Sequence, residues 1–310
     1  MHIRNGVTPE FYEALLDFAE REFGTHQVEG RAIAGAKTQA LYEFPKDTNF
    51  PGELFDVVAE TCALERDTMT LSERHVKWYD DDADPNPTAH KDRLASQVSM
   101  GISIEVPEGS HLVLYPAAEV EVNPFNISGA LPKSLQPDRR PDVALKDAEG
   151  IEIHDQPTDV MMFRGSAIWH LRRRPAGSKN LYLKLNDSNS DPLGEDPTTP
   201  ERRALTLSAL REGEAKLEST RVMLGRRMDT VTRIYTRNGE QILQADVWGK
   251  DPVRLTESQF DAIRAVGAGQ GAGLTFGTLV RELAGGGTGL NLSRSDLLWL
   301  AEREVFDLIP

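Results

Sequence analysis

The chain has 310 residues, of which 39% are hydrophobic, a formal net charge of −14 at pH 7 and a single cysteine, Cys62. The acidic balance argues against nucleic-acid phosphates as the main partner, and one cysteine excludes an internal disulfide and a cysteine-based zinc or iron–sulfur site. There is no signal-peptide pattern and no apolar run of the roughly 18 residues that span a bilayer, so we expect a soluble, cytoplasmic protein without membrane partners.

Two helices are predicted near the N-terminus. Thr8 and Pro9 have the residue types of an N-cap and a first helical position, and apolar residues then repeat on one face. A second helix is predicted over about residues 52–64, where the Cys62 thiol is expected to fill the core as a small apolar group. Both helices are assigned to the same domain as the strands that follow.

From about residue 74 to residue 186 the sequence changes to short alternating runs separated by Pro, Gly and Asp. In QVSMGISIEV (97–106) apolar side chains fall on one strand face and mostly polar or small ones on the other. Many short strands with turn signals are typical of a barrel or sandwich. The polar strand faces are expected to point into an interior that holds a site.

The C-terminal third has a different pattern. Residues 187–200 have the composition of a linker, and 201–228 are predicted to form one helix. Asn238-Gly239 between two alternating runs indicates a hairpin, and three short helices follow, which together suggest a winged-helix-like module over 229–310. That module carries 8 Lys/Arg against 11 Asp/Glu. Its acidic balance favours a protein contact, most simply a homodimer, over DNA binding.

One group of residues has the types and spacing of a metal-binding site. His90 and Asp92 stand two residues apart at the mouth of a predicted strand, so their side chains point to the same face. His170 follows 78 residues after Asp92, on a predicted late strand. Two imidazoles and one carboxylate form the facial triad that holds Fe(II) and leaves three positions open. Those positions suit 2-oxoglutarate and O2.

Other interpretations of these residues stay open at this stage. His154 is the strongest alternative ligand, and His75 and His111 are further rivals. A His-x-Asp pair is also common at an ordinary hydrated strand end.

The segment DVMMFRGSAIWHLRRRPAGSKNLYLKLN (159–186) resembles the late strands of JmjC and cupin-like Fe(II)/2-oxoglutarate oxygenases. The segment HKD (90–92), with the alternating strand and the run LVLYP (112–116) that follow it, resembles the earlier strands of the same family. The resemblance covers roughly residues 75–190. The residues that match the late-strand pattern are Asp159, Val160, Gly165, Trp169 and His170.

This resemblance implies a mainly β protein with added helices. Residues 1–190 would form a double-stranded β-helix (jelly-roll or cupin-like) domain, 200–228 a connecting helix, and 229–310 the winged-helix-like module, an order also found in ribosomal oxygenases of this group.

The resemblance also implies a cation that pairs with the distal carboxylate of 2-oxoglutarate. JmjC proteins often place it about 13 residues after the metal-binding aspartate, where this chain has Glu105. Lys184, 14 residues after His170, is predicted to take that role on the inward face of the last strand. Tyr182 or Ser99 is expected to add a hydrogen bond. The next candidates are Arg172, Arg173 and Arg174.

The sequence therefore predicts an Fe(II)- and 2-oxoglutarate-dependent dioxygenase that oxidises a C–H bond. Its substrate would be a small-molecule natural product, an amino acid, or a peptide or protein side chain. Two other classes remain as alternatives. One is a cupin-type metalloenzyme that does not use 2-oxoglutarate, and the other is a non-catalytic protein-interaction adaptor.

Overall fold

The structure is a computed structural model, and it describes residues 1–23, 32–33, 36–118, 120–212, 217–268, 274–285 and 293–309. The chain divides into two compact units. Unit 1 consists of Met1–Leu64 and Glu73–Leu185, and unit 2 consists of Glu65–Ser72 and Asn186–Pro310. Each helix within the described ranges is too short or too polar to cross a lipid bilayer.

Within the described ranges, unit 1 holds four α-helices and most of the strands. The helices are α1 (Pro9–Phe23), α2 (Phe50–Cys62), α3 (Ala130–Ser134) and α4 (Pro141–Ala144). The strands are β1 (His2–Ile3), β2 (Ala32–Ile33), β3 (Lys37–Leu41), β4 (Thr70–Tyr79), β5 (Val98–Glu105), β6 (His111–Tyr115), β7 (Ile151–Ile153), β8 (Val160–Phe163), β9 (Trp169–Arg173) and β10 (Lys179–Asn186). A few residues of β4 and β10 fall in the ranges of unit 2.

These strands form two sheets. The larger sheet has seven strands in the order β1-β8-β5-β10-β4-β3-β2, and the smaller has three in the order β7-β6-β9. Along the chain, β5 lies in the larger sheet, β6 and β7 in the smaller, β8 in the larger, β9 in the smaller and β10 in the larger. An isolated antiparallel bridge between His90 and His170 extends the small sheet beyond β9.

Strand β5 explains how the interior becomes polar. Its alternation is the predicted one, yet both faces are buried, from Val98 through Ile104. The polar or small face, which includes Ser99 and Gly101, lines a cavity instead of meeting solvent. A strand buried on both faces positions side chains more firmly than a loop does, so this sheet can support a site.

The two N-terminal helices follow the sequence closely at their starts. The Thr8 hydroxyl accepts a hydrogen bond from the backbone N–H of Phe11 at 3.3 Å, as expected for an N-cap. The buried face of α1 consists of Leu15, Phe18, Ala19 and Phe23. The expected core position of Cys62 was wrong, because its side chain is only partly buried at the last residue of α2.

Unit 2 holds the remaining elements. Its helices are α5 (Thr199–Arg211), α6 (Glu257–Ala268), α7 (Phe276–Gly285) and α8 (Arg294–Glu302). Its strands are β11 (Arg221–Leu224), β12 (Met228–Tyr235), β13 (Gln241–Val247), β14 (Val253–Arg254), β15 (Leu274–Thr275) and β16 (Phe306–Ile309). They pair as two three-stranded sheets, β15-β11-β16 and β12-β13-β14.

The single helix predicted over 200–228 was wrong. Helix α5 ends at Arg211, because Glu212 has extended backbone angles (φ −77°, ψ 156°). Residues 221–224 form β11, and Val222 is fully buried where that strand pairs with β15 and β16. Pairing with strands more than 50 residues away overrides the local helical pattern, as tertiary contacts often do. The hairpin at Asn238-Gly239 is present, with Gly239 at a positive φ of 79°.

Candidate metal centre

Three side chains converge on the inner side of unit 1. One potential ligand atom each from His90, Asp92 and His170 lie within 4.8 Å of one another. His90 and His170 are joined by two backbone hydrogen bonds, each N–H donating to the other residue's carbonyl at 2.9 Å. The Asp92 N–H donates to the Gly165 carbonyl, also at 2.9 Å. The extended backbone at residues 90–92 therefore turns both side chains to the cavity, beside the histidine of β9.

Hydrogen bonds orient the ligands. His170 Nδ1 lies 2.9 Å from the Ile168 carbonyl, which cannot donate, so Nδ1 carries the proton and Nε2 keeps its lone pair. That Nε2 is 3.6 Å from Asp92 Oδ2, and His90 Nε2 is 3.8 Å from Asp92 Oδ1. A carbonyl partner on the far ring nitrogen is the usual support of a metal-binding histidine.

The protonation states suit a cation. Burial alone would raise the pKa of Asp92, but the ammonium of Lys184 and the two imidazoles hold it well below its usual range. Desolvation, followed by the neighbouring His170, lowers the pKa of His90, although its 48% exposed side chain limits that desolvation. Burial also lowers the pKa of His170. At neutral pH the group offers one carboxylate and two neutral imidazoles, the forms that bind metals.

The carboxylate of Asp92 is held from behind. Lys184 Nζ and Ser99 Oγ both donate to Asp92 Oδ2 at 2.5 Å, and Lys184 Nζ also lies 3.1 Å from Ser99 Oγ. With Oδ2 engaged twice, Oδ1 is the oxygen left for a metal. Gly165 makes this packing possible, since a Cβ there would lie 1.7 Å from Ser99 Oγ and 2.6 Å from Asp92 Oδ2.

The rival histidines lie elsewhere. His75 is buried beside Glu73, with Nδ1 3.6 Å from the Glu73 carboxylate. His111 on β6 and His154, which follows β7, flank Glu152, with their rings 4.7 Å apart. Within the described part of the chain, His90, Asp92 and His170 are the one set of three or more such residues with metal-ligand geometry.

A cavity opens in front of the three ligands. Its charged walls carry more cations than anions, and its other walls are tyrosines and apolar side chains. The basic residues that line it are Lys37, Lys77, Arg172 and Lys184. The aromatic hydroxyls come from Tyr79 and Tyr182.

Arg172 lies two residues beyond His170 on β9 and is buried. Its Nη2 donates to Asp155 Oδ2 at 2.7 Å and lies 3.4 Å from Asn180 Oδ1, while Nη1 donates to Ser110 Oγ at 3.2 Å. Its Nε makes no hydrogen bond in the described structure. Burial alone would lower the pKa of this guanidinium, but Tyr182 and Asp155 raise it by more than burial lowers it. Arg172 therefore stays charged. The Nε–H of this fixed cation therefore remains available as a donor.

The structure separates the sequence-based candidates. Lys184, Tyr182, Ser99 and Arg172 all line the cavity, whereas Arg174 is exposed at a left-handed backbone position (φ 47°) and does not. Sequence reasoning missed three polar lining residues. Two of them, Lys77 and Tyr79, share an alternating face of the run HVKWY and could have been found there. The third, Lys37, comes from a distant strand and carries no local signal.

No family model matches this sequence, and no curated protein matches it. Similar solved structures exist at low identity. The α-ketoglutarate-dependent carbocyclase SnoK from nogalamycin biosynthesis is 13% identical with a TM-score of 0.45, over 61% of this chain and 79% of its own. A Pseudomonas putida prolyl-4-hydroxylase is 13% identical with a TM-score of 0.37, over 60% of this chain and 90% of its own. HygX from Streptomyces hygroscopicus, solved with nickel, 2-oxoglutarate and hygromycin B, is 10% identical with a TM-score of 0.39, over 60% of this chain and 81% of its own. Similarity at this level does not establish a shared fold, so the functional assignment depends on the chain's own residues.

Proposed function

We propose that this protein is an Fe(II)- and 2-oxoglutarate-dependent oxygenase. The observation that carries the proposal is the convergence of His90, Asp92 and His170 within 4.8 Å, at the wall of a cation-lined cavity. Two neutral nitrogens and one carboxylate suit Fe(II), whereas calcium and magnesium prefer sites built from oxygen. The residues present therefore fit the metal that this class of enzyme uses.

We infer that unit 1 is a double-stranded β-helix. The strand order β8-β5-β10-β4 in the larger sheet, and the repeated alternation between the two sheets along the chain, support this. The bridge at His90 places the first ligand beside β9, at the edge of the smaller sheet. Membership of the JmjC or cupin-like branch is part of the proposal, supported by the late-strand residues 159–186.

Different side chains of the site would bind the metal, orient its carboxylate ligand and position the substrate. His90, Asp92 and His170 would hold Fe(II) on one face, while Lys184 and Ser99 keep the Asp92 carboxylate ionised and oriented. The chemistry supplied by bound Fe(II), 2-oxoglutarate and O2 is oxidative decarboxylation of the 2-oxo acid coupled to oxidation of a substrate C–H bond. The remaining walls position the substrate and keep water away from that C–H bond.

The geometry favours Arg172 over Lys184 as the anchor of the distal carboxylate. Lys184 Nζ lies 2.5 Å from an oxygen of a metal ligand, so it reaches only the end of 2-oxoglutarate that chelates the metal. The distal carboxylate lies three carbon–carbon bonds beyond the keto carbon. Arg172 is two residues from His170 on the same strand face, an offset of about 6.6 Å along β9, so this cation lies farther along the strand than the metal ligand.

One observation favours a second candidate. The charge of Arg172 is already balanced by the buried Asp155, which weakens its attraction for a second carboxylate. A metalloenzyme of the same architecture that does not use 2-oxoglutarate would be consistent with this pairing. Binding of the co-substrate therefore has to be measured separately from binding of the metal.

The test is a stepwise anaerobic titration of the full chain. We expect one Fe(II) per chain, followed by 2-oxoglutarate binding with the visible charge-transfer band of a chelated 2-oxo acid. Metal binding without 2-oxoglutarate binding would favour the second candidate. No divalent-metal binding would leave only the adaptor function.

We also propose that unit 2 contacts another protein chain, most simply a second copy, and does not bind nucleic acid. Its acidic balance supports this, as does the exposed hairpin end, where Tyr235 is 67% exposed. A winged-helix assignment is supported by three helices, α6 to α8, packed with small sheets around one apolar core. Sedimentation of the full chain over a range of concentrations tests the dimer, and a monomer at all concentrations would contradict it.

A further inference from the structure

Lys37 lies at the start of β3 and lines the cavity in front of the candidate metal ligands. Its ammonium packs 5.4 Å from the centre of the Tyr79 ring. Among the described residues, no carboxylate lies within ion-pair distance of it. A half-buried ammonium without a counter-ion is destabilising, so a ligand that supplies one would be bound favourably.

A second lysine lies close to the first. Lys37 and Lys77 lie on the paired strands β3 and β4 and line the same cavity, and burial and then Lys77 lower the pKa of Lys37 to about 8. Lys77 Nζ donates to Glu73 at 2.7 Å, but Arg93 also donates to Glu73 at 2.9 Å. Lys77 and Arg93 therefore share the carboxylate of Glu73, and Lys37 adds a third cation at this side of the cavity.

The other charges nearby do not correct this imbalance. Asp92 is engaged by Lys184 and is committed to the metal in the proposed function. Asp155 is engaged by Arg172. The Lys37–Lys77 side of the cavity consequently keeps an excess of positive charge, and the excess is separate from the Arg172 guanidinium, which we assign to 2-oxoglutarate.

We propose that Lys37 and Lys77 form a subsite for an anionic group of the oxidised substrate, a carboxylate or a phosphate. The inference rests on the proposed function and adds the substrate class. Apolar side chains of Leu112, Met161 and Phe163 line the same cavity, and the Phe163 ring packs 4.7 Å from that of His170. A substrate with one charged end and an apolar body matches these walls, with a C–H bond of the body directed at the metal.

The test uses inorganic phosphate as the probe and the full chain loaded with Mn(II) and saturated with 2-oxoglutarate. Phosphate affinity is measured by calorimetry, and its proximity to the metal by paramagnetic relaxation of the 31P signal. In wild type we expect saturable binding with strong relaxation. Lys37→Gln should weaken phosphate binding by about tenfold or more, because a charge-assisted contact is lost.

Controls distinguish the possible failures. Lys46→Gln, at an exposed position, should bind phosphate like wild type. Lys37→Gln should leave the dissociation constants of Mn(II) and 2-oxoglutarate unchanged. The subsite is wrong if Lys37→Gln binds phosphate like wild type, or if it weakens 2-oxoglutarate instead. If Mn(II) does not bind but phosphate affinity still depends on Lys37, the proposed metal chemistry fails and the anion subsite stands.

Discussion

Two clusters on the small sheet of unit 1 have the same composition, two histidines and one carboxylate, but different surroundings. In the first, His90 and Asp92 are two residues apart and His170 comes from β9. In the second, Glu152 and His154 have the same spacing and His111 comes from β6. Among the described residues only the first has three converging ligand atoms. The spacing of a His-x-acid pair is therefore not enough to make a metal site.

The difference lies in what holds the carboxylate. The Asp92 side chain is 14% exposed and fixed by Lys184 and Ser99. The Glu152 side chain is 47% exposed and has Arg173 3.8 Å away, and the His154 side chain is 63% exposed. Solvent screens the charges of the second cluster. The first cluster is preorganised by buried donors.

The largest expected effect comes from removing each carboxylate in turn. Asp92→Ala should abolish stoichiometric Fe(II) binding, because in the described ranges no other carboxylate converges with the two imidazoles. Glu152→Ala, the matched change in the second cluster, should leave Fe(II) affinity unchanged. Anaerobic metal titrations, with circular dichroism to verify folding, measure both. Equal loss in the two variants would mean that the first cluster is not the metal site.

A smaller effect is expected when the cation along β9 is changed. Arg172→Gln should weaken 2-oxoglutarate binding about ten- to a hundredfold while Fe(II) binds normally, since one charge-assisted contact is lost. Arg174→Gln removes an exposed arginine two residues further on and should change nothing. Calorimetry with Mn(II)-loaded protein gives both constants. If the dissociation constant of 2-oxoglutarate is unchanged in Arg172→Gln, Lys184 would again be the preferred partner of the distal carboxylate.

Replacing Lys184, which donates to the Asp92 carboxylate, should lower Fe(II) affinity more than 2-oxoglutarate affinity. Lys184→Met removes the ammonium that holds Asp92, and loss of such a support typically costs about ten- to a hundredfold in metal affinity. Arg173→Met, which removes the cation beside Glu152, should have no effect on the metal. Fe(II) affinities of the two variants decide this. A Lys184→Met protein with normal Fe(II) affinity and weakened 2-oxoglutarate binding would contradict the positioning role.

The smallest expected effect concerns pH. Because the pKa of Lys37 is lowered to about 8, its charge is present below that value and is lost as the pH rises through it. The contribution of Lys37 to phosphate affinity should therefore decline between roughly pH 7 and 9, at a lower pH than for an ordinary lysine with a pKa near 10.4. The ratio of wild-type to Lys37→Gln affinity across this range measures it. A constant ratio would show that Lys37 stays charged.

Local patterns predicted several of the side chains that line the cavity. The same-face spacing of His90 and Asp92, and the inward face of β10 with Tyr182 and Lys184, follow from strand periodicity alone. The sequence could not predict how far from the metal ligands each inward-facing side chain lies. Lys184 and Arg172 both face inward, and only the structure places one at the carboxylate of Asp92 and the other beyond His170.

Features that depend on pairing between strands distant in sequence could not be predicted from local patterns. Lys37 joins the cavity because β3 pairs with β4, with Lys37 opposite Tyr79, a partner 42 residues away. The helix expected through residue 228 ended early because Val222 and Met223 are buried in a strand between distant neighbours. Both outcomes depend on which strands meet, and no window of local sequence contains that information.

The paired backbone hydrogen bonds between His90 and His170 have a consequence for how metal loading can be observed. The two amides exchange with solvent only when the bridge opens, and opening it separates two of the three ligands. A bound metal should therefore slow hydrogen exchange at both amides together, by a factor that grows with metal concentration over its dissociation constant. The bridge makes the peptide backbone itself a reporter of occupancy, readable without substrate, co-substrate or turnover.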